Sequence, residues 1–337
     1  MLRAALGLPH QVREGWTIGL AASLPRPPAS PAHVVVCGMG GSAIGGDLLS
    51  AYLHPKLPLP IVVVRDYAIP AFVGPRSIVI VASYSGNTEE TLAAAAAAQQ
   101  AGATLLTITS GGRLGEVAAR TGNVVLVPAG LAPRAALGYL MIPALAALER
   151  WGLTGPCGDE VAEAVEVLEG IATDAVSEIS APENTAGRLA EQLLGRVPAV
   201  YAGSPGLESV ARRWKCQFNE NSKMLAIWNA FPELNHNETV GWGAPPEIAA
   251  LVSVVLLLDG TEPARLLRRI RLTCDLAFRG AGGVHEVRAS GTGRLARLLS
   301  LVFWGDLVSI YLAYCRGVDP TPVETIDAIK ERLSRAD

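Results

Sequence analysis

The sequence predicts an α/β protein of two similar halves, each a parallel sheet covered by helices, and three observations carry that prediction. β-branched runs alternate with alanine-rich helical runs through the first half. The second half repeats the alternation less regularly. Two first-half strands run into turns rich in glycine or hydroxyl side chains, each followed by a helical pattern. Strand–helix–strand order implies βαβ units, and these imply a parallel sheet. The 337 residues suffice for two domains with their own cores, or for one large α/β unit.

Element by element, HVVVCG, PIVVVRD, SIVIVAS, ATLLTITS and NVVLVPA read as short buried strands. The stretches from Ile44 and from Glu89 to Ala101 read as the helices between them. An apolar run from Arg134 to Trp151 predicts a longer helix. Acidic residues at helical spacing from Asp159 to Leu194 predict a two-helix connection broken near Pro182, with Pro156 marking a domain edge. The expected division is therefore residues 1–155, a helical connection over 156–195, and residues 196–337. The last part contains the strand RVPAVYAGS, a helix from Leu207 to Phe218 and the strand ALVSVVLLLDG, which a helical turn precedes. A helix from Pro263 to Phe278, the strand GVHEVRAS and a final helix from Pro322 to Leu333 complete it. That final helix carries Lys330 and is placed to fold back over a site.

Composition excludes several function classes. A net charge of -3, from 28 basic and 31 acidic residues, gives no basic surface for nucleic acid or anionic lipid, so the expected partner is a small molecule. Cys37, Cys157, Cys216, Cys274 and Cys315 are scattered, odd in number and without a C-x-x-C pair, which fits buried thiols in a reducing cytoplasm. The N-terminal MLRAALGLPHQVREGW becomes charged too soon for a signal-peptide core. Leu295 to Cys315 is long enough to cross a membrane, but Arg297 and Asp306 within it favour a core helix, and no membrane association is expected. His10, His33, His54, His236 and His285 show no ligand spacing, so no metal is expected; no other cofactor is expected either.

Three segments carry chemistry. After the first strand, Gly38, Gly40, Gly41, Ser42, Gly45 and Gly46 let backbone N–H groups at a helix start approach an anion. Gly38, Gly40 and Ala43 also fit a dinucleotide fingerprint, with Asp66 as ribose ligand, and a tight turn without a ligand has the same pattern. The second loop, from Ser83 through Ser85 to Thr88, sets three hydroxyls beside free helix N–H groups, a neutral socket for a phosphate monoester. Helix capping alone would need only one of them. The third segment, NENSKMLAIWNAFPELNHNETVGW from Asn219 to Trp242, places Glu220, His236 and Glu238 in one polar, loop-prone stretch. In a chain that is 50% hydrophobic and 18% charged, such a cluster points to chemistry.

The motifs CGMGGSAIGGD, SYSGNTEETL, PRAALGYL, RWKCQFNENSKMLA and FPELNHNETVGW together resemble the bifunctional phosphoglucose/phosphomannose isomerase family of sugar isomerase (SIS) proteins. The resemblance runs from LPHQVREGW to Lys330, and NENSK and NHNE are its specific parts. It implies two SIS subdomains, each a flavodoxin-like αβα sandwich, a homodimer with shared active sites, and a hexose 6-phosphate substrate. By motif, Ser42, Ser83, Ser85 and Thr88, with the backbone of Gly40 and Gly41, would hold the phosphate. Arg134 would stabilise an enediolate, and Glu220 would be the base. His236, from the partner subunit, would help open the sugar ring, and Lys330 would approach the ring oxygen. Thr321 is the nearest candidate for the threonine that makes room for the mannose epimer.

These residue types suit the reaction the family implies. Aldose–ketose isomerisation moves one proton between C1 and C2 through a cis-enediol, which a single carboxylate can accomplish. A fixed guanidinium stabilises the charge that develops on O1 and O2. Plainer readings exist: Glu220 as a surface acid paired with Lys223, His236 as a loop cap, and Lys330 as a solvated residue of KER. Arg134 could be an ordinary helix-start residue, but cations are disfavoured at that end, so a bound anion explains it better. Glu238 is read as a solvated loop charge. Competing functions are a non-catalytic sugar-phosphate sensor, a dinucleotide-dependent oxidoreductase, and an SIS isomerase of another phosphosugar.

Overall fold

Apolar runs with both faces hydrophobic require a sheet covered on both sides, and the computed structural model, which describes residues 1–120, 122–176, 184–333 and 335, contains two such sheets. In chain order the elements are α1 (Leu2–Leu6), α2 (Leu8–Ala21), β1 (His33–Cys37), α3 (Gly40–Leu53), β2 (Ile61–Val64), β3 (Ser77–Ala82) and α4 (Glu89–Gln100). There follow β4 (Thr104–Thr109), α5 (Gly112–Ala119), β5 (Val124–Leu126), α6 (Leu137–Arg150), α7 (Gly158–Asp174) and α8 (Thr185–Gln192). The remainder is β6 (Val197–Ala202), α9 (Glu208–Glu220), β7 (Ile227–Ala230), α10 (Glu238–Gly241), α11 (Pro246–Ala249) and β8 (Val252–Leu258), then α12 (Ala264–Leu276), β9 (Gly283–Arg288), α13 (Arg294–Cys315) and α14 (Glu324–Leu333). All five strands expected in the first half are present. The break expected near Pro182 lies outside the described residues.

The chain forms two compact units. The N-terminal unit is Arg3–Ala172 with Ala289–Ser300, and the C-terminal unit is Thr173–Arg288 with Leu301–Asp337 and Met1–Leu2. Residues 289–300 join the N-terminal unit because the Glu163 carboxylate on α7 accepts the N–H groups of Thr292 (2.6 Å) and Gly293 (2.9 Å). These N–H groups hold Glu163 below the usual carboxylate range.

The N-terminal sheet has the order β2-β1-β3-β4-β5, all parallel, with Val34 of β1 opposite both Ile61 and Ile78. This is the flavodoxin-like order, whose switch point between β1 and β3 is where ligands bind outside the strand ends. Helix α6 is buried along almost its whole length, from Leu137 to Leu148, as expected for a helix hydrophobic on every face. Its closeness to α2 depends on missing side chains: a Cβ at Gly19 would lie 2.7 Å from Ala146 Cβ, and one at Gly138 would lie 2.6 Å from Gln11 Cβ. The buried Gln11 amide fills that crossing, donating to Ala135 O (2.7 Å) and accepting from Gly138 N (3.2 Å).

The C-terminal sheet repeats the same order as β7-β6-β8-β9, again all parallel. At its switch point, the turn after β8 closes on its own acid: the buried Glu262 carboxylate accepts the N–H groups of Asp259 (2.7 Å) and Gly260 (3.0 Å). Helix α9 is stapled to α13 by a polar seam. Arg213 donates through Nε and Nη2 to both oxygens of Asp306, at 3.0 and 2.7 Å, and Gln217 adds a bond of 2.6 Å. Further along, Asn221 donates to Ser309 Oγ and Ser222 to Ser309 O. Trp214 donates to Leu301 O over Gly305, where a Cβ would come within 2.4 Å of the indole nitrogen. Helix α13 is long and apolar enough to cross a membrane, but 83% of its apolar window is buried in the protein, as a core helix requires.

Two outcomes follow from this packing. Asp306→Ala removes the buried carboxylate that accepts from Arg213 and Gln217 and should lower unfolding free energy by about 3–5 kcal/mol, read from denaturant midpoints; a loss under about 1 kcal/mol would show that the seam adds little. Burial pushes the Cys37 thiol up to about 11, so native protein at pH 8 should resist iodoacetamide at Cys37 while the unfolded chain is alkylated. Rapid native labelling would contradict that environment.

Candidate active site

In the N-terminal unit, β1 and β3 deliver two loops to the sheet switch point. Gly38 follows β1 so closely packed that a Cβ would lie 2.9 Å from Ala82 O at the end of β3. Gly40, at φ +50°, opens α3 in a conformation glycine adopts without strain. A Cβ on Gly41 would lie 2.9 Å from Pro133 O and 3.2 Å from Arg134 Cα, so the start of α3 meets the Arg134 turn backbone to backbone. Ser42 and Arg134 are both buried. The predicted helix from Arg134 begins instead at Leu137; Pro133–Ala135 is a separate 3₁₀ turn, held through Gln11 and Ala135 O. Gly40, Gly41, Ser42 and Arg134 are thus brought together, with a cation beside a helix N-terminus. That arrangement suits an anion.

The second loop follows β3. Thr88 is the N-cap of α4, yet its side chain makes no capping bond; its hydroxyl accepts from Ser83 Oγ at 3.1 Å. Ser85 is exposed and its hydroxyl accepts from Asn87 N. Gly86, at φ +68°, fits only without a side chain, since a Cβ would fall 1.9 Å from Gly111 O. Tyr84 locks the loop from beneath by donating to Pro128 O. The dinucleotide reading loses its ribose ligand: Asp66 caps its own turn, accepting from Tyr67 N (2.6 Å) and Ala68 N (3.4 Å). The strand order also differs from the dinucleotide type, 3-2-1-4-5.

In the C-terminal unit, Glu220 is the last residue of α9 and is half-buried. A carboxylate at the carbonyl-rich end of a helix is electrostatically unfavourable by about 0.3–1 kcal/mol, so the placement has another reason. Glu220 lines a cavity of about 600 Å³ with Asn219, Lys223, Asp319, Pro322 and Thr325. Lys223 donates to three backbone carbonyls, those of Glu220, Pro320 (3.3 Å) and Pro322 (2.6 Å). Thr321 N donates to Asp319 Oδ1 at 2.7 Å, which holds that carboxyl below the usual range. Thr325 lines the cavity, whereas Thr321, His236 and Lys330 do not. Lys330 is exposed on α14, a helix with no buried residue. His236 ends the 3₁₀ turn Glu233–His236 and is also exposed.

The reading of Glu238 as a solvated charge is overturned. Its carboxylate accepts from the Tyr201 hydroxyl and from Asn229 Nδ2, two residues directly opposite each other on β6 and β7. Tyr201 is fully buried; burial first, then its hydrogen bond to Glu238 and that carboxylate's charge, pushes its phenol pKa upward. Glu238 therefore ties the His236 segment to the sheet. The pairing was hidden because β7, within IWNA, reads as part of a polar loop. In the sequence Lys223 reads only as a partner of the Glu220 side chain; its bonds to Pro320 O and Pro322 O, nearly a hundred residues on, have no local signal. Among the described residues no group of three His, Cys, Asp or Glu side chains converges as a metal site.

A family model for the bacterial phospho-glucose isomerase C-terminal SIS domain matches residues 182–333. A bifunctional phosphoglucose/phosphomannose isomerase of Caldicellulosiruptor bescii is 42% identical over 335 residues, 99% of each chain. A protein of the same name from Thermoplasma acidophilum is 38% identical over 303 residues, 90% of each chain. The solved structure of tagatose-6-phosphate ketose/aldose isomerase from Escherichia coli aligns with a TM-score of 0.69 at 17% identity, covering 94% of this chain and 93% of that one, a likeness of fold. With such identity along the whole sequence, on a fold whose strand order and strand-end loops are those the motifs imply, this chain belongs to the bifunctional phosphoglucose/phosphomannose isomerase family.

Proposed function

We propose that this protein interconverts fructose 6-phosphate with glucose 6-phosphate and mannose 6-phosphate through a cis-enediol. The observation that carries the reading is Glu220, a carboxylate set against the helix dipole in the wall of a sugar-sized cavity. As base, it removes the proton from C2 of an aldose or C1 of the ketose and returns it to the other carbon, so no second base is needed. Both epimers are reached if the enediol rotates about C2–C3 and presents its other face to the same carboxylate.

The remaining roles follow the chemistry of each position. Ser42, Ser83, Ser85 and Thr88, with the N–H groups of Gly40 and Gly41, hold the phosphate at the N-termini of α3 and α4. Arg134 stabilises the enediolate oxygens. His236 and Lys330, which lie outside the lining of the Glu220 cavity, are assigned to ring opening by motif alone, and Thr321, also outside it, is assigned by motif as the residue that gives space to the mannose epimer. The exposure of His236 supports its contribution to the site of a second copy, hence a homodimer with shared active sites. The working compartment proposed is the cytoplasm, with no part for nucleic acid or membrane.

Purified protein incubated with fructose 6-phosphate should form glucose and mannose 6-phosphates, resolved separately over time; neither product would sink the assignment. Glu220→Gln should cut kcat by about 10²–10⁴ while inhibitor affinity stays nearly constant, and full activity would eliminate the base assignment. Ser85→Ala should raise KM about tenfold with little change in kcat, since a phosphate contact is made in ground and transition states alike. A fall in kcat at constant KM would contradict that role.

A further inference from the structure

We propose that Lys223 is a positioning residue that locks the Glu220 turn to the opposite wall of its cavity and so governs how the base divides substrate between the two C2 epimers, an inference that rests on Glu220 being the base. Two independent features single it out. Lys223 has φ +54°, the one non-glycine residue in the left-handed region among those described. A long side chain gains nothing from that conformation, and its persistence at a site wall marks a place where the surroundings over-determine the backbone. Its ammonium also reaches three carbonyl oxygens from two distant segments: Glu220 at the end of α9, and Pro320 and Pro322 nearly a hundred residues on.

The geometry suits lysine specifically. A compact ammonium has three donors that point apart, one for each of the three carbonyls it reaches, whereas a guanidinium presents its donors in a fixed planar fork. The turn is gripped from its other side too. Arg316, just after α13, donates to Ser222 O and to Lys223 O (3.0 Å). The far wall is itself stiff: Pro320 and Pro322 restrict their own backbone, and Asp319 accepts from Thr321 N. That wall continues into Thr325 and Ile326, which line the same cavity as Glu220, and on into α14 with Lys330. Lys223 therefore sets the spacing between the carboxylate and the wall that a sugar's C2–C3 region must pass.

The plainer reading is a helix cap, because Glu220 O lies in the last turn of α9, where carbonyls take their partners from outside the helix ladder. A cap alone would affect stability and leave product ratio untouched. Lys223→Gly keeps the left-handed turn without strain and removes the ammonium; Lys223→Arg keeps the charge and changes its shape. In both, kcat should fall about tenfold or more with little change in KM, as small misplacement of a base does. The mannose-to-glucose product ratio should shift by about threefold, and backbone amides of 318–326 should exchange faster. If either variant fails to fold, Lys223→Asn, which also tolerates the left-handed conformation, is read the same way. Wild-type kcat and product ratio, or a lowered Tm as the sole change, would overturn the proposal. Should the wild type itself form neither hexose phosphate, the base assignment fails, whereas unchanged exchange over 318–326 in a folded variant would refute the lock alone.

Discussion

The position of Glu220 depends on a buried ion pair two turns earlier in the same helix. Arg213 and Asp306 have little access to water, and their bidentate geometry with Gln217 leaves α9 one rotational setting against α13. Such a pair adds little net free energy compared with apolar packing, because both charges lose their hydration. What it supplies is register. The same seam continues through Asn221 and Ser222 to Ser309, so the residues flanking the end of α9 are fixed where the helix would otherwise fray.

Rigidity of this kind suits proton transfer at carbon, where the reacting atoms must be held near contact distance. The N-terminal unit meets the same need differently. Its loops are held by backbone approaches that only glycine permits, at Gly38, Gly41 and Gly86, rather than by charged pairs. Main-chain N–H groups at a helix start have no rotamers to lose, which makes them inexpensive donors for a phosphate.

Much of this architecture was legible from residue pattern alone. The central strands β1 and β3 of the N-terminal sheet are apolar, largely β-branched runs buried on both faces, which gives a strong signal, and charges inside an apolar stretch correctly marked α13 as a core helix. Edge strand β7 was not legible: it has four residues, Ile227 is exposed, and Asn229 turns to Glu238. The Arg134 turn was read as helix because the Gln11 bond that sets it apart spans 124 residues. The return of residues 289–300 to the N-terminal unit rests on Glu163, which no local pattern could disclose. Motif positions were readable, whereas the side chains that hold them in place were found only through contacts distant in sequence.

The two sheets share a strand order, yet their switch points are not equivalent. In the C-terminal unit the Glu262 carboxylate already occupies the backbone N–H groups of the turn after β8. That turn carries its own counter-anion. On the proposed phosphate site, ligand-linked stabilisation should therefore be lopsided, felt first by the N-terminal strand ends, and the repeated fold would offer a phosphate one address per chain rather than two.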